Sequence, residues 1–152
     1  PHQIKCEVWM AIIHGAKGLI YFCHTWKPRF IEAGLLADAP TARAVREINA
    51  QVTQLAPVIN SPSLPKAARV TTAPDADRVD MMVKRQGNAL YVFSVNMKGQ
   101  PTRGRFTLGN AKNAQVEVLG EQRAISVTDG VFSDDFEGWG VHLYRIGPLA
   151  IE

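Results

Sequence analysis

The sequence predicts an α+β protein, with an N-terminal helix-strand-helix segment followed by a small antiparallel β-sandwich. Before residue 60, apolar residues recur at helical spacing in two stretches. Between them lies one short run that is apolar throughout, as in strands buried on both faces. From Val70 onward apolar and polar residues alternate in short runs divided by turn residues, which is typical of an antiparallel sandwich.

The first predicted element is a helix over residues 3–14. Its apolar positions follow helical spacing on one side and fill much of the other, so this helix needs covering on more than one face. Pro1 suits a helix start. Gly15 and Gly18 bracket its end, where a left-handed residue is easiest for glycine.

The second predicted element is a strand over residues 19–23, LIYFC, where no polar residue interrupts the run. A helix, a glycine turn and a doubly buried strand have the order of the second half of a βαβ unit. An irregular stretch follows the strand. It leads to an amphipathic helix, for which we predict an N-cap at Thr41 and an end near Pro57.

A domain boundary is predicted where the apolar period is lost, in NSPSLPKAAR, residues 60–69. The expected organisation is a helical segment over 1–60, a linker over 61–69 and a sandwich domain over 70–152. Six short runs form the predicted strands of that domain: 78–86, 89–97, 103–109, 114–120, 124–128 and 140–146.

Composition narrows the classes of partner. The net charge is +3, but the basic residues are scattered among acids and form no stripe interleaved with aromatics, so no nucleic-acid partner is expected. No apolar run approaches the roughly 20 residues of a membrane span, so no membrane partner is expected. Cys6 and Cys23 are predicted to be buried thiols. We expect no metal and no cofactor.

Two stretches carry a resemblance to a known family. Residues 6–26, CEVWMAIIHGAKGLIYFCHTW, resemble the last helix-strand step of a (β/α)8 glycoside hydrolase of the retaining clan that includes cellulase-like and β-galactosidase-like enzymes. Residues 125–146, ISVTDGVFSDDFEGWGVHLYRI, are similar to the final strands of the β-sandwich that follows the barrel in many such enzymes. The N-terminal segment would then be the remnant of a barrel.

The resemblance implies that His24 and Trp26 lie at a sugar site, because barrel enzymes keep their sites at the C-terminal ends of strands. The Trp26 ring would stack on a pyranose, the His24 ring would bind a hydroxyl, and Glu32 on the following loop would contact a sugar or orient a neighbour. The alternative interpretations are a large core residue for Trp26 and a solvated loop acid for Glu32.

The resemblance also implies that the catalytic groups lie outside this chain. Retaining glycosidases use two carboxyl groups, which in this clan would follow the fourth and seventh barrel strands, upstream of Pro1. No catalytic residue is therefore assigned, and the chain is expected to be catalytically incomplete. The acid cluster Asp134, Asp135 and Glu137 is predicted to be a turn rather than a calcium site, and His142 is predicted to be structural.

Two functions stay open at this stage. The chain is either part of an endoglucanase-related or β-galactosidase-like hydrolase of β-linked carbohydrate, or a stand-alone carbohydrate-binding or oligomerisation module. If barrel neighbours are missing, residues 3–23 would expose apolar surface and form a homodimer. Enzymes that degrade polymers are usually exported, so a secreted or periplasmic parent protein is favoured.

Overall fold

The computed structural model describes residues 1–109, 111 and 114–148, in which three helices precede eight strands. The helices are α1 (His2–Ile13), α2 (Gly34–Ala37) and α3 (Ala39–Ile59). The strands are β1 (Ala68–Thr71), β2 (Val79–Gln86), β3 (Ala89–Asn96), β4 (Thr102–Leu108), β5 (Gln115–Val118), β6 (Arg123–Ser126), β7 (Val131–Phe136) and β8 (Val141–Ile146). The predicted α+β class is confirmed.

The strands form two antiparallel sheets that pack as a sandwich. One sheet has the order β1-β4-β7 and the other the order β2-β3-β8-β5-β6. The core between them is apolar and aromatic: Phe106 stacks on Phe132 with ring centroids 4.7 Å apart, and Tyr144 meets both rings edge-on. Within the described part of the chain, no helix is long and apolar enough to cross a membrane.

The helices cover the outer face of the five-stranded sheet. Trp9 of α1 is fully buried, its ring centroid lies 5.2 Å from that of Phe93 on β3, and its indole N–H donates to Gln51 Oε1 of α3 at 3.3 Å. α1 therefore has the sheet on one side and α3 on another, as its apolar residues require. Helices and sheet share one apolar cluster, and the division into two domains stays a prediction.

Residues 19–23 differ from the predicted strand. The segment is extended, but it belongs to neither sheet of the described residues, and Ile20 is 100% exposed. A strand buried on both faces needs hydrogen-bonded neighbours and a layer above and below. Leu19 and Tyr21 pack on the helix-sheet cluster, so one side of this segment is covered, but the described residues supply neither pairing strands nor a layer on the other side. Among these residues there is no barrel.

Three further elements differ from the predictions. The N-cap of α3 is Asp38 rather than Thr41, because the Asp38 carboxylate accepts the Thr41 N–H at 3.0 Å, and the helix continues through Pro57 to Ile59. β7 contains Asp134 and Asp135, which were predicted to form a turn. β1 begins inside the predicted linker.

Candidate functional site

The residues predicted to contact sugar lie on one compact hairpin that follows the extended segment. Thr25 and Ile31 pair across it, with the Thr25 N–H donating to Ile31 O at 3.0 Å and the Ile31 N–H donating to Thr25 O at 2.8 Å. The Leu35 N–H donates to Cys23 O at 2.9 Å, which ties the base of the hairpin to α2. The chain therefore brings the predicted positions 24, 26 and 32 together.

Gly34 holds the hairpin close to α2. A Cβ atom built at this position would lie 1.9 Å from Thr25 Oγ1 and 2.8 Å from the Thr25 backbone nitrogen. Only a residue without a side chain allows that approach. The position of the hairpin thus depends on one glycine that sequence analysis did not single out.

The side chains of Phe22, His24, Trp26 and Phe30 form a row on this hairpin, which we call the aromatic strip. Ring centroids are 5.3 Å apart for Phe22 and His24, 5.6 Å for His24 and Phe30, and 5.0 Å for Trp26 and Phe30. Trp26 is 65% exposed, and both phenylalanines are exposed as well. Trp26 is therefore a surface residue and not core filling.

His24 is held by its neighbour across the hairpin. Its Nδ1 lies within hydrogen-bonding distance of the Glu32 carbonyl oxygen, a contact that requires the proton on Nδ1. The neutral ring then presents Nε2 as an acceptor. Glu32 thus orients His24 through its backbone, while its own side chain is exposed beside the strip.

The acids near the strip are few. Glu32 is the one acidic residue between Glu7 and Asp38. Retaining glycoside hydrolysis needs two carboxyl groups about 5 to 5.5 Å apart. Among the described residues, no group of three or more potential metal ligands is close enough to hold an ion. The strip has the chemistry of a binding surface, with exposed rings, one imidazole acceptor and one carboxylate.

A polar cluster, which sequence analysis missed, joins β6 and β7, edge strands of the two sheets. Arg123 donates to both oxygens of Asp134 at 3.0 and 2.7 Å, and to Glu121 Oε2 at 2.7 Å. The Tyr144 hydroxyl donates to Asp134 Oδ2 at 2.9 Å, and His142 contacts Glu121 Oε1 through Nδ1. The structural role predicted for His142 agrees with these contacts.

The hydrogen bonds and charges of this cluster stabilise the ionised form of Asp134. Burial by itself would raise the pKa of Asp134, but the hydrogen bonds from Arg123 and Tyr144, together with the charges of His142 and Arg123, outweigh burial and hold that pKa below its usual value. Burial, followed by the Asp134 charge, raises the pKa of Tyr144. The cluster is fully paired, which is the pattern of a structural network.

The two cysteines are free thiols. Cys6 lies on α1 and is buried, and burial followed by the charge of Glu7 raises its pKa. Cys23 is only half-buried, in contrast to the prediction that both are buried, because the described residues cover only one side of the extended segment.

Comparisons with known proteins identify the fold and not the family. No protein-family model matches the chain, and no curated protein matches it. An α-amylase from Anoxybacillus, whose structure gives insight into a new glycosyl hydrolase subclass, aligns with 76% of this chain at a TM-score of 0.52 and 10% identity. A GH30 endoxylanase from Clostridium papyrosolvens C71 aligns with 51% of it at a TM-score of 0.36 and 19% identity.

This chain covers 24% of the α-amylase and 22% of the endoxylanase. The fold of this chain is thus similar to part of the α-amylase. At these identities the likeness transfers neither an activity nor the role of any residue.

Proposed function

We propose that this chain is the C-terminal part of a glycoside hydrolase acting on β-linked carbohydrate, related to endoglucanases or β-galactosidases, and that the aromatic strip belongs to its sugar-binding surface. The catalytic carboxylates are supplied by another part of the protein, so the chain alone does not hydrolyse its substrate. The observation that carries the proposal is the placement of an exposed Trp26 and an oriented His24 at the end of one extended segment.

The strip has the properties that a sugar requires. The face of an indole ring offers an apolar, polarisable surface to the C–H groups of a pyranose, and an exposed ring is available for that contact without rearrangement of the core. The Nε2 acceptor of His24 can bind a hydroxyl group in the same row. Glu32 lies at the edge of the strip, where a carboxylate can accept two adjacent hydroxyl groups.

The extended segment supports a missing neighbour. Ile20 is 100% exposed although its side chain is large and apolar. In a completed barrel the Ile20 side chain would pack on an adjacent strand, and the end of the segment would then carry the strip to the functional face.

The experiment is a titration of the 15N-labelled chain with cellopentaose and with maltopentaose, followed through the indole N–H signals of its three tryptophans. We expect cellopentaose to shift the Trp26 signal, while buried Trp9 serves as an internal reference. Trp26→Ala should abolish binding, and Trp139→Ala, on the β7–β8 loop, should retain it. An unmoved Trp26 signal, or an equal response to maltopentaose, would contradict the proposal.

A hydrolysis assay tests catalytic incompleteness. We expect no release of reducing sugar from β-glucan by the chain alone. Release above the blank would show that acids within the chain suffice, and would overturn this part of the proposal.

The alternative function is a stand-alone binding or oligomerisation module. α1 is already covered by the sheet and α3, so a dimer would use the extended segment rather than all of residues 3–23. Light scattering distinguishes the two: a concentration-dependent dimer that Ile20→Ser disrupts favours the module, and a monomer at all concentrations counts against self-association.

A further inference from the structure

A pocket of about 310 Å³ lies between the turn after α1, the C-terminal end of α3 and β2. It shares no lining residue with the aromatic strip or with the polar cluster around Asp134. Most of its wall is apolar, formed by Ile12, Leu19, Val52, Ala56, Ile59 and Met82. Its two charged residues are Lys17 and Lys84. None of the described residues that line it is acidic, so the pocket carries an unbalanced positive charge.

Lys84 is the unusual group in this pocket. It is only 7% exposed, and its ammonium donates to the Ser61 carbonyl oxygen at 2.7 Å, just beyond the end of α3. An ammonium has three donors, and a single neutral carbonyl compensates only part of the cost of removing a cation from water. Burial and, second, the charge of Lys17 lower the pKa of Lys84.

An anionic ligand would offset both the cost of burying the Lys84 charge and the repulsion between Lys84 and Lys17. A carboxylate near the two ammonium groups would supply the missing counter-charge and accept charge-assisted hydrogen bonds. The apolar wall would favour a hydrocarbon tail on the same molecule. The volume is at the lower limit of ligand pockets, which begin at about 300 Å³, so the ligand must be small.

We propose that this pocket binds a small carboxylic acid with an apolar tail, its carboxylate held by Lys84 and Lys17 and its tail packed against Ile12, Val52 and Met82. The site is independent of the sugar surface. It uses different residues, and it would exist whether or not the chain binds carbohydrate.

The test compares three probes with the same six-carbon tail at constant ionic strength: hexanoate, 1-hexanol and hexylammonium. Binding to the full chain is measured by calorimetry and by the rise in melting temperature that a ligand specific for the folded state produces. We expect hexanoate to bind at least about tenfold more tightly than hexanol, since charge-assisted hydrogen bonds add that much, and hexylammonium not to bind. Equal binding of hexanoate and hexanol, or no binding of hexanoate, would overturn the proposal.

Three variants locate the site. Lys84→Met and Lys17→Met should each weaken hexanoate binding, Lys84→Met by about tenfold or more, while leaving weak hexanol binding unchanged. Lys98→Met, a lysine on the β3–β4 loop, is the matched control and should bind as the parent chain does. If Lys84→Met does not fold, hexanoate binding by Lys17→Met becomes the test, since Lys17 is exposed. Binding as tight as that of the parent chain would refute the site.

Discussion

At the residue scale, Asp134 links the edge strand of one sheet to Arg123 and Tyr144 of the other sheet. Its side chain is 10% exposed and accepts from Arg123 and Tyr144, whereas Asp135, the next residue, is 75% exposed and pairs with Arg103 at the surface. The two aspartates therefore form a matched pair, one in a buried network and one in a solvated ion pair. Buried, hydrogen-bonded pairs are costly to break, and solvated pairs are not.

We predict that Asp134→Asn lowers the free energy of unfolding at pH 7 by about 2–3 kcal/mol, because it leaves Arg123 and Tyr144 poorly paired. Asp135→Asn should cost about 0.5 kcal/mol or less. Urea denaturation of both variants measures the difference. Equal costs would mean that the buried network adds nothing.

The contribution of Asp134 to stability should depend on pH. The pKa of Asp134 is lowered in the folded protein, so its contribution is complete above the pKa of the unfolded chain and is lost as pH falls through the folded pKa. The stability difference between the parent chain and Asp134→Asn should therefore shrink on acidification below about pH 4, the ordinary pKa of an aspartate. A difference that stays constant down to pH 2 would contradict the assigned cause.

At the element scale, the hairpin that carries the aromatic strip depends on its close contact with α2. We predict that Gly34→Ala displaces the hairpin and costs about 1–3 kcal/mol, because its Cβ would overlap Thr25. The backbone amide signals of residues 24–34 should shift and sugar binding should fall. Gly18→Ala is the control, since a Cβ there meets nothing within 4 Å. An unchanged hairpin in Gly34→Ala would show that the contact is easily relieved.

At the scale of the whole molecule, the helices and the five-stranded sheet share one apolar cluster. We predict that Trp9→Ala lowers the free energy of unfolding by about 3–5 kcal/mol, because it leaves a cavity between the helices and the sheet. The helices and the sheet should still unfold together in one transition. Far-ultraviolet circular dichroism follows the unfolding of the helices, and amide exchange of β3 follows that of the sheet. Separate transitions would instead support independent folding units at residues 1–60 and 70–152.

Much of the fold could be predicted from local patterns. The end of α1 was expected at its glycine, and Gly15 has a φ of +93°. Alternation predicted both β3 and β4, and in β4 Phe106 is buried as that alternation requires. In β3 the adjacent residues Val92 and Phe93 are both fully buried, because the sandwich core covers one face and the helices cover the other. β7 was missed because the inward residue between its two phenylalanines is Asp134, whose charge suggested a turn.

The candidate site was predictable only in part. His24, Trp26 and Glu32 were chosen because they follow an apolar run, and the chain does bring them together. Their contacts depend on the Thr25–Ile31 pairing and on Gly34, which no periodicity indicates. The Lys84 pocket was not predictable either, since its lysines are 67 residues apart in the sequence and meet only because α1 and β2 pack side by side.

The sequence by itself determined the α+β class, the order of helices before strands and the alternation that buries the sandwich core, because these follow from the spacing of apolar residues over a few turns or strand lengths. Only the tertiary structure decided which apolar runs are covered. LIYFC was equally apolar as a pattern, yet Ile20 is left fully exposed while Phe93 is fully buried. Burial is a property of the neighbours that pack on a segment, and those neighbours lie far away along the chain.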